Sequence, residues 1–316
     1  MPRLHFRADG TFTIIQFTDT HFTDGGEADQ RSLALMRALL AWEDADLAVF
    51  TGDVIDGRFA ADAAAAWRLA TAAVVGRHLP WAAVFGNHDA EKNLAVDGQM
   101  AIQRRIAGCL SQAGPKYLPG CGNYLLPIHQ AANDSLAAVL CFLDSHAYAG
   151  LSDVGGYAWI DPAQIRWLTG RLAALRKNNP AVPALLFQHI PLPEYAEAWN
   201  KGGCYGEKNE EICCPRLNTG LFAALRLAGN IQAVFVGHDH VNDFAGDWHG
   251  IKLCYGRATG YNTYGRDGFA HGARLIRLRQ GENQGGTGFV TWLRLDDGSQ
   301  SQPIESGLGP ALGHQR

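Results

Sequence analysis

A chain of 316 residues, 47% hydrophobic and 18% charged, has enough apolar content to bury a substantial α/β core. Its formal net charge of -4 leaves no basic footprint for nucleic acid and no polybasic anchor for a membrane surface. The N-terminus carries charge with no apolar run behind it, and no stretch reaches the ~18 uninterrupted apolar residues of a membrane span, so the expectation is a soluble, cytoplasmic protein.

Taken in order, apolar runs and helical periodicities alternate. A strand over 12–17 precedes a helix over 29–42 with Leu33, Leu35, Met36, Leu39 and Leu40 at near-helical spacing. A strand over 46–50, an alanine-rich helix over 60–75, a strand over 82–85 and a helix over 96–110 follow, an order that predicts a layered α/β fold with right-handed crossovers. Runs over 124–128 and 136–143 have no helix between them and read as antiparallel. Asp161 as N-cap with Pro162 behind it starts a helix to about residue 176. A strand over 184–187 runs into Pro191 and Pro193, and 194–218 reads as a long excursion, of the kind that is usually functional or disordered. A helix over 219–228, a strand over 231–236 and strands over 251–255, 272–278 and 288–295 complete one domain, 1–298. A turn over 281–286 and a frayed tail over 299–316 are expected. The 7 cysteines include no Cys-x-x-Cys pair and read as reduced thiols; only export would admit one disulfide among Cys204, Cys213 and Cys214.

Five of the strand-like runs end in potential metal donors: Asp19 and His21, Asp53, Asn87, His189, and His238 with His240. In three of the five, glycine stands directly before the first donor. Parallel strands deliver functional groups from their C-terminal ends in α/β sheets. For Gly86-Asn87-His88-Asp89 alone, a solvent-facing loop with a capping Asn is an equal reading; the recurrence favours ligation. A set of carboxylates, imidazoles and one amide oxygen without thiolate suits Mn, Fe or Zn. Seven donors are too many for one cation and fit two divalent ions if one carboxylate bridges, and Asp53 is the candidate bridge. Such a pair holds a hydroxide nucleophile and clamps two phosphate oxygens for in-line hydrolysis.

Asp19-x-His21, Gly52-Asp53-x-x-Asp56, Gly86-Asn87-His88-Asp89, His189 and Gly237-His238-x-His240 together resemble the motif set of the calcineurin-like metallophosphoesterases, in that family's order. The segments 189–193, 237–243 and 255–272 resemble its purple-acid-phosphatase-like branch. The resemblance implies a four-layer αββα sandwich of mixed sheets. One ion would sit on Asp19, His21, Asp53 and His240, and the other on Asp53, Asn87, His189 and His238. It also implies that His88 contacts phosphate and protonates the leaving group, with Asp56 orienting and charging it. Asp56 stands where the purple enzymes have a tyrosine, so neither a purple band nor an obligatory ferric ion is expected. The phosphatases carry Arg directly after that Asp; Gly57 intervenes here, and Arg58 is not counted as a phosphate contact. His21 also differs from the purple enzymes and points to the wider esterase family.

Arg257, Tyr261, Asn262, Tyr264 and Arg266 read either as a loop reaching the phosphate, with Arg257 and Tyr261 as substrate contacts beside Asn87 and His88, or as turn residues. Tyr205 and Glu207 are weaker candidates for a specificity lid. Asp24 and Asp89 either support ligating imidazoles or cap turns, Asp239 and Asp243 read as supporting or structural, and the other histidines read as ordinary. The expected function is a phosphomonoesterase acting on a small phosphate ester, with a phosphoprotein kept open as substrate. A phosphodiesterase with the same centre is the alternative, and a non-catalytic scaffold the remote one, since no donor is missing. Oligomeric state is not legible.

Overall fold

The computed structural model describes residues 3–92, 94–280 and 287–306. Two sheets lie face to face. One holds β1 (Leu4–His5), β5 (Tyr124–His129), β6 (Leu136–Phe142), β7 (Ala184–Phe187), β8 (Ile231–Val236), β10 (Ile251–Tyr255) and β9 (Ala245–Trp248), side by side in that order. The other runs β13 (Ile304–Glu305), β12 (Gly288–Leu295), β11 (Gly272–Arg279), β2 (Thr11–Phe17), β3 (Leu47–Thr51) and β4 (Trp81–Val84). Both are mixed: β2, β3 and β4 are mutually parallel, as are β6, β7, β8 and β10, whereas β5–β6, β9–β10, β2–β11, β11–β12 and β12–β13 are antiparallel.

The layering follows from strand alternation. In β2 the odd residues Ile15 and Phe17 pack toward α1 (Glu27–Trp42), α2 (Ala63–Ala70) and α3 (Ala72–Gly76), while Phe12 and Ile14 face the opposing sheet. Phe187 and Phe235 meet them in the middle layer. The outer face of the first sheet buries Leu186, Val234 and Leu253 under α5 (Pro162–Asn178), α6 (Glu194–Lys201) and α7 (Leu221–Ala228). Three apolar cores between four layers are the expected αββα sandwich, and sheet faces of this kind need cover on both sides because their strands carry apolar residues at nearly every position.

Local chemistry sets the element ends. Asp161 accepts from the Ala163 N–H while Gln164 reaches back to the Asp161 N–H, completing a capping box for α5. Several expectations are corrected. The helix expected over 60–75 is broken at Thr71, whose hydroxyl donates to the Trp67 carbonyl at 2.7 Å and closes the α2 terminus. The one expected over 96–110 stops with α4 (Val96–Gln103), because the chain must turn back to the sheet edge, where Trp81 N–H takes the Gly108 carbonyl. The excursion 194–218 begins as α6, which buries Tyr195 and Ala198. Its remainder is ordered against 239–245: Tyr205 bridges Ala245, and Asn242 accepts from the Asn209 and Glu210 N–H groups. The tail expected to fray from 299 instead supplies β13, held to β12 by Ser301 and Ser306 hydroxyls that accept from Leu293 and Phe289. The turn at 281–286 and the tail beyond 306 lie outside the described residues. The short strands β1 and β9 carry too few residues for a periodicity to be read. All 7 cysteines are free thiols, and among the described residues no helix is long and apolar enough to cross a membrane.

Candidate metal centre

Both sheets direct their parallel strands toward the same edge, so the loops after β2, β3, β4, β7 and β8 meet there. Asp19, His21, Asp53 and His240 offer ligand atoms all within 4.8 Å of one another, and so do Asp53, His189 and His238. Asp53 belongs to both sets, as a bridge must. The Asn87 side-chain oxygen completes the second set, 3.2 Å from His189 Nε2. All seven side chains are buried.

The backbone works to bring them this close. Asp19, His21, Asp53 and His238 adopt positive φ of 53°, 47°, 48° and 81°, a sparsely populated region for residues with a Cβ and one that clusters at functional sites. The glycines before the donors have a packing reason: a Cβ on Gly86 would stand 2.2 Å from Asp53 Oδ1, and one on Gly237 1.9 Å from Thr18 Oγ1. Asp89 ties two of the loops together, accepting from Val54 and Ile55 N–H at 2.9 and 3.0 Å and from Gly86 N–H at 2.7 Å. Burial and then the Asp53 charge push its carboxyl up to about 7.

Outer contacts aim the rings. His189 Nδ1 lies 2.8 Å from the Thr51 carbonyl and His240 Nδ1 2.6 Å from Thr263 Oγ1, which leaves each Nε2 facing the cluster. His21 Nδ1 is 3.5 Å from Asp56 Oδ2, and its Nε2 3.7 Å from Asp53 Oδ2. Burial opposes ionisation of Asp53, but His189 and His21 outweigh it and hold the carboxyl well below the usual range. Burial and the neighbouring His189 push His238 down to about 3, which favours a neutral ring with one nitrogen lone pair to offer. Asp53 Oδ2, His21 Nε2 and His238 Nε2 are buried without any hydrogen-bond partner. Buried carboxylate and imidazole atoms left without a partner are costly, and two divalent cations would give them one.

His88 stands beside the cluster. Its backbone N–H donates to Asp53 Oδ1 at 2.7 Å, its ring centroid is 5.4 Å from that of His21, and its Nδ1 lies 2.6 Å from Glu91 Oε2. The expected pairing of His88 with Asp56 is therefore corrected. Asp56 accepts from the Arg58 guanidinium at 3.0 and 2.7 Å and otherwise meets His21. Burial opposes its charge, but His21 and Arg58 together hold its carboxyl low.

Two of the expected substrate contacts are corrected as well. Arg257 is buried in an ion pair with Asp243 and donates to the Ala270 carbonyl, so its guanidinium is spent inside the fold. Tyr261 turns its hydroxyl to Asp296 at 2.8 Å, with its ring beside His271 and Arg31. Asn262 donates to Asp29 and Arg266 to Asn209. Of that loop only Thr263 and Tyr264 reach the centre, the latter stacked on His240 at 4.2 Å between centroids. Asp24 caps by accepting from Ala61 N–H, Asp239 accepts from the Tyr255 hydroxyl, and Asp243 from Glu207 N–H. Glu207 and Tyr205 belong to the ordered cover over 239–245.

The rim also contains residues that sequence reasoning missed. Tyr157 lies edge-on to His238 at 4.4 Å, Tyr148 receives a hydrogen bond from Asn87 Nδ2 at 3.3 Å, and Glu210 takes the Tyr264 hydroxyl at 2.7 Å. Both tyrosines of 144–160 sit in an irregular connection with no periodicity to mark it. Glu91 had a signal, its i,i+3 spacing from His88 on a turn, that went unread.

An αββα sandwich with two Asp/His donor sets sharing one carboxylate at facing strand ends defines a metallophosphoesterase. The sequence pattern of the calcineurin-like phosphoesterases matches residues 12–242, and the chain belongs to that family. It is 35% identical over 330 residues to "Probable inactive purple acid phosphatase 29" of Arabidopsis thaliana, across 93% of this chain and 85% of that one. It is 32% identical to "Phosphatase DCR2" of Saccharomyces cerevisiae, across 93% of this chain and 55% of that one. The crystal structure of a dimetal phosphatase from Danio rerio has the same fold, with a TM-score of 0.61 at 16% identity, covering 93% of this chain and 98% of that one.

Proposed function

We propose that the protein is a phosphomonoesterase whose centre takes two divalent metal ions, held by Asp19, His21, Asp53 and His240 on one side and by Asp53, Asn87, His189 and His238 on the other. The observation that carries this reading is the sharing of Asp53 between two buried donor sets with unpartnered ligand atoms. When bound, the ions supply Lewis acidity and an activated water for attack at phosphorus. His88 stands at the open side of the centre as general acid: as the P–O bond to the leaving group breaks, it gives a proton to the departing oxygen. Asn87 and the His88 backbone, anchored to Asp53, fix that ring relative to the metals. The DCR2 relative bears the name phosphatase; three Arabidopsis relatives are named probable inactive, yet no donor is lost in this chain.

A specific observation favours a second reading, a phosphodiesterase. A monoester brings one more negative charge than a diester, and Arg58 and Arg257 are already paired with carboxylates while the rim adds Glu91 and Glu210. The test is turnover of p-nitrophenyl phosphate against bis-p-nitrophenyl phosphate by manganese-loaded protein. Faster monoester turnover is expected; equal or faster diester turnover moves the assignment to the second reading. With both ions bound and no turnover of either, the non-catalytic scaffold becomes the favoured reading. On phenyl phosphate, whose leaving group needs its proton, His88→Ala is expected to keep two metals per chain and lose about 10²–10⁴ in kcat; undiminished turnover of that ester removes it from the mechanism.

A further inference from the structure

We propose that Glu91 is the positioning residue for His88, a part that Asp56 is too committed to play in this chain. The inference rests on the reading of His88 as proton donor, and its geometry is independent of metal identity. Glu91 Oε2 lies 2.6 Å from His88 Nδ1 and 3.3 Å from Arg58 Nε, and Oε1 accepts from the Tyr148 hydroxyl at 2.6 Å. Both carboxylate oxygens are thus held from separate directions.

A carboxylate can only accept, so this contact places a proton on Nδ1 and leaves Nε2 as the nitrogen available to a leaving group. After proton transfer from Nε2, the ring is neutral with its remaining proton still on Nδ1 against Glu91. The same glutamate joins His88 to the ligand beside it, because the Tyr148 hydroxyl that it accepts from also accepts from Asn87 Nδ2 at 3.3 Å. Arg58 in turn spans Asp56 and Glu91, so the carboxylate that holds His21 and the one that holds His88 share a single cation. A solvated surface pair of this kind would be worth little. Here the His88 and Glu91 side chains are only 21% and 22% exposed, and three neighbours restrain the carboxylate.

The test uses zinc-loaded full chain, since zinc is diamagnetic and leaves histidine signals readable. In ¹⁵N-detected spectra, His88 is expected to carry its proton at Nδ1 in the wild type and to lose that preference in Glu91→Ala; an unchanged tautomer overturns the proposal. In kinetics, Glu91→Gln, which keeps the shape and removes the charge, is expected to lower kcat on phenyl phosphate about 10- to 100-fold. On p-nitrophenyl phosphate, whose leaving group needs little protonation, kcat is expected to stay nearly unchanged, as are KM and zinc stoichiometry. Equal losses on both substrates would mark a merely structural role and overturn it. His88→Ala run in parallel separates the two claims. If that variant shows no leaving-group dependence, the proton-donor reading falls while the tautomer result still decides whether Glu91 sets the ring.

Discussion

The floor of the centre and its rim are built by different means. The floor is strand ends: seven donors follow directly on β2, β3, β4, β7 and β8, and all are buried. The rim is connections, 144–160, 202–218 and 256–271, in which neighbouring residues point to opposite sides of the protein. Tyr264 lies on His240, whereas Tyr261, three residues earlier, binds Asp296. A strand end leaves little freedom in where its next residues go, because the sheet fixes direction and pleat. A loop's side chains are placed by whatever they meet.

The largest effect expected on the floor comes from Asp53→Asn. It removes the one charge common to both donor sets while keeping the side chain's shape. Changes to outer contacts alone cost about 10- to 100-fold in metal affinity or activity, so the loss here is expected to exceed 100-fold in rate, with fewer than two metals per chain by elemental analysis. Full dinuclear occupancy in that variant would show that the two sets do not depend on a shared carboxylate.

The same difference explains what could be read from the sequence. The layered α/β order and all seven donors were legible because apolar runs of four to seven residues and a polar group just past each are local patterns, whereas the four-layer αββα arrangement followed only from the resemblance of the motif set. The role of Asp56 was not legible: its spacing from Asp53 is compatible with facing either His88 or His21, and the choice is made by Arg58, which folds back from two residues on to take both of its oxygens. Glu91 wins the place at His88 through a turn, and Tyr148 arrives from 57 residues away. The Tyr148 contact leaves no periodic trace, and the i,i+3 spacing of Glu91 from His88 marks the contact only once the turn is known. Arg257 misled for a related reason, since a glycine-rich loop after a strand does not reveal that Asp243 waits beneath it.

Arg257→Ala gives the next largest effect and tests the rim directly. Removing one partner of a buried ion pair leaves an uncompensated charge, here Asp243, at a cost of about 3–5 kcal/mol. The expected outcome is a lower denaturant midpoint with KM for p-nitrophenyl phosphate unchanged at temperatures where the variant stays folded. The opposite pattern, an unchanged midpoint with KM raised, would return Arg257 to the substrate.

The smallest effect is expected from Tyr261→Phe, and it sharpens the contrast because Tyr264 provides an internal reference on the same loop. The Tyr261 hydroxyl makes an exposed bond to Asp296, worth at most about 1 kcal/mol. Its ring keeps the contacts with Arg31 and His271, each about 4.1 Å away, so packing survives. Stability is therefore expected to fall slightly, with kcat and KM both unmoved. Tyr264→Ala, by removing the ring that lies on His240, should change KM or metal affinity in the same assays. If Tyr261→Phe instead raised KM as well, the loop would have to swing its tyrosines inward on binding substrate, and the line drawn between fixed floor and variable rim would pass elsewhere.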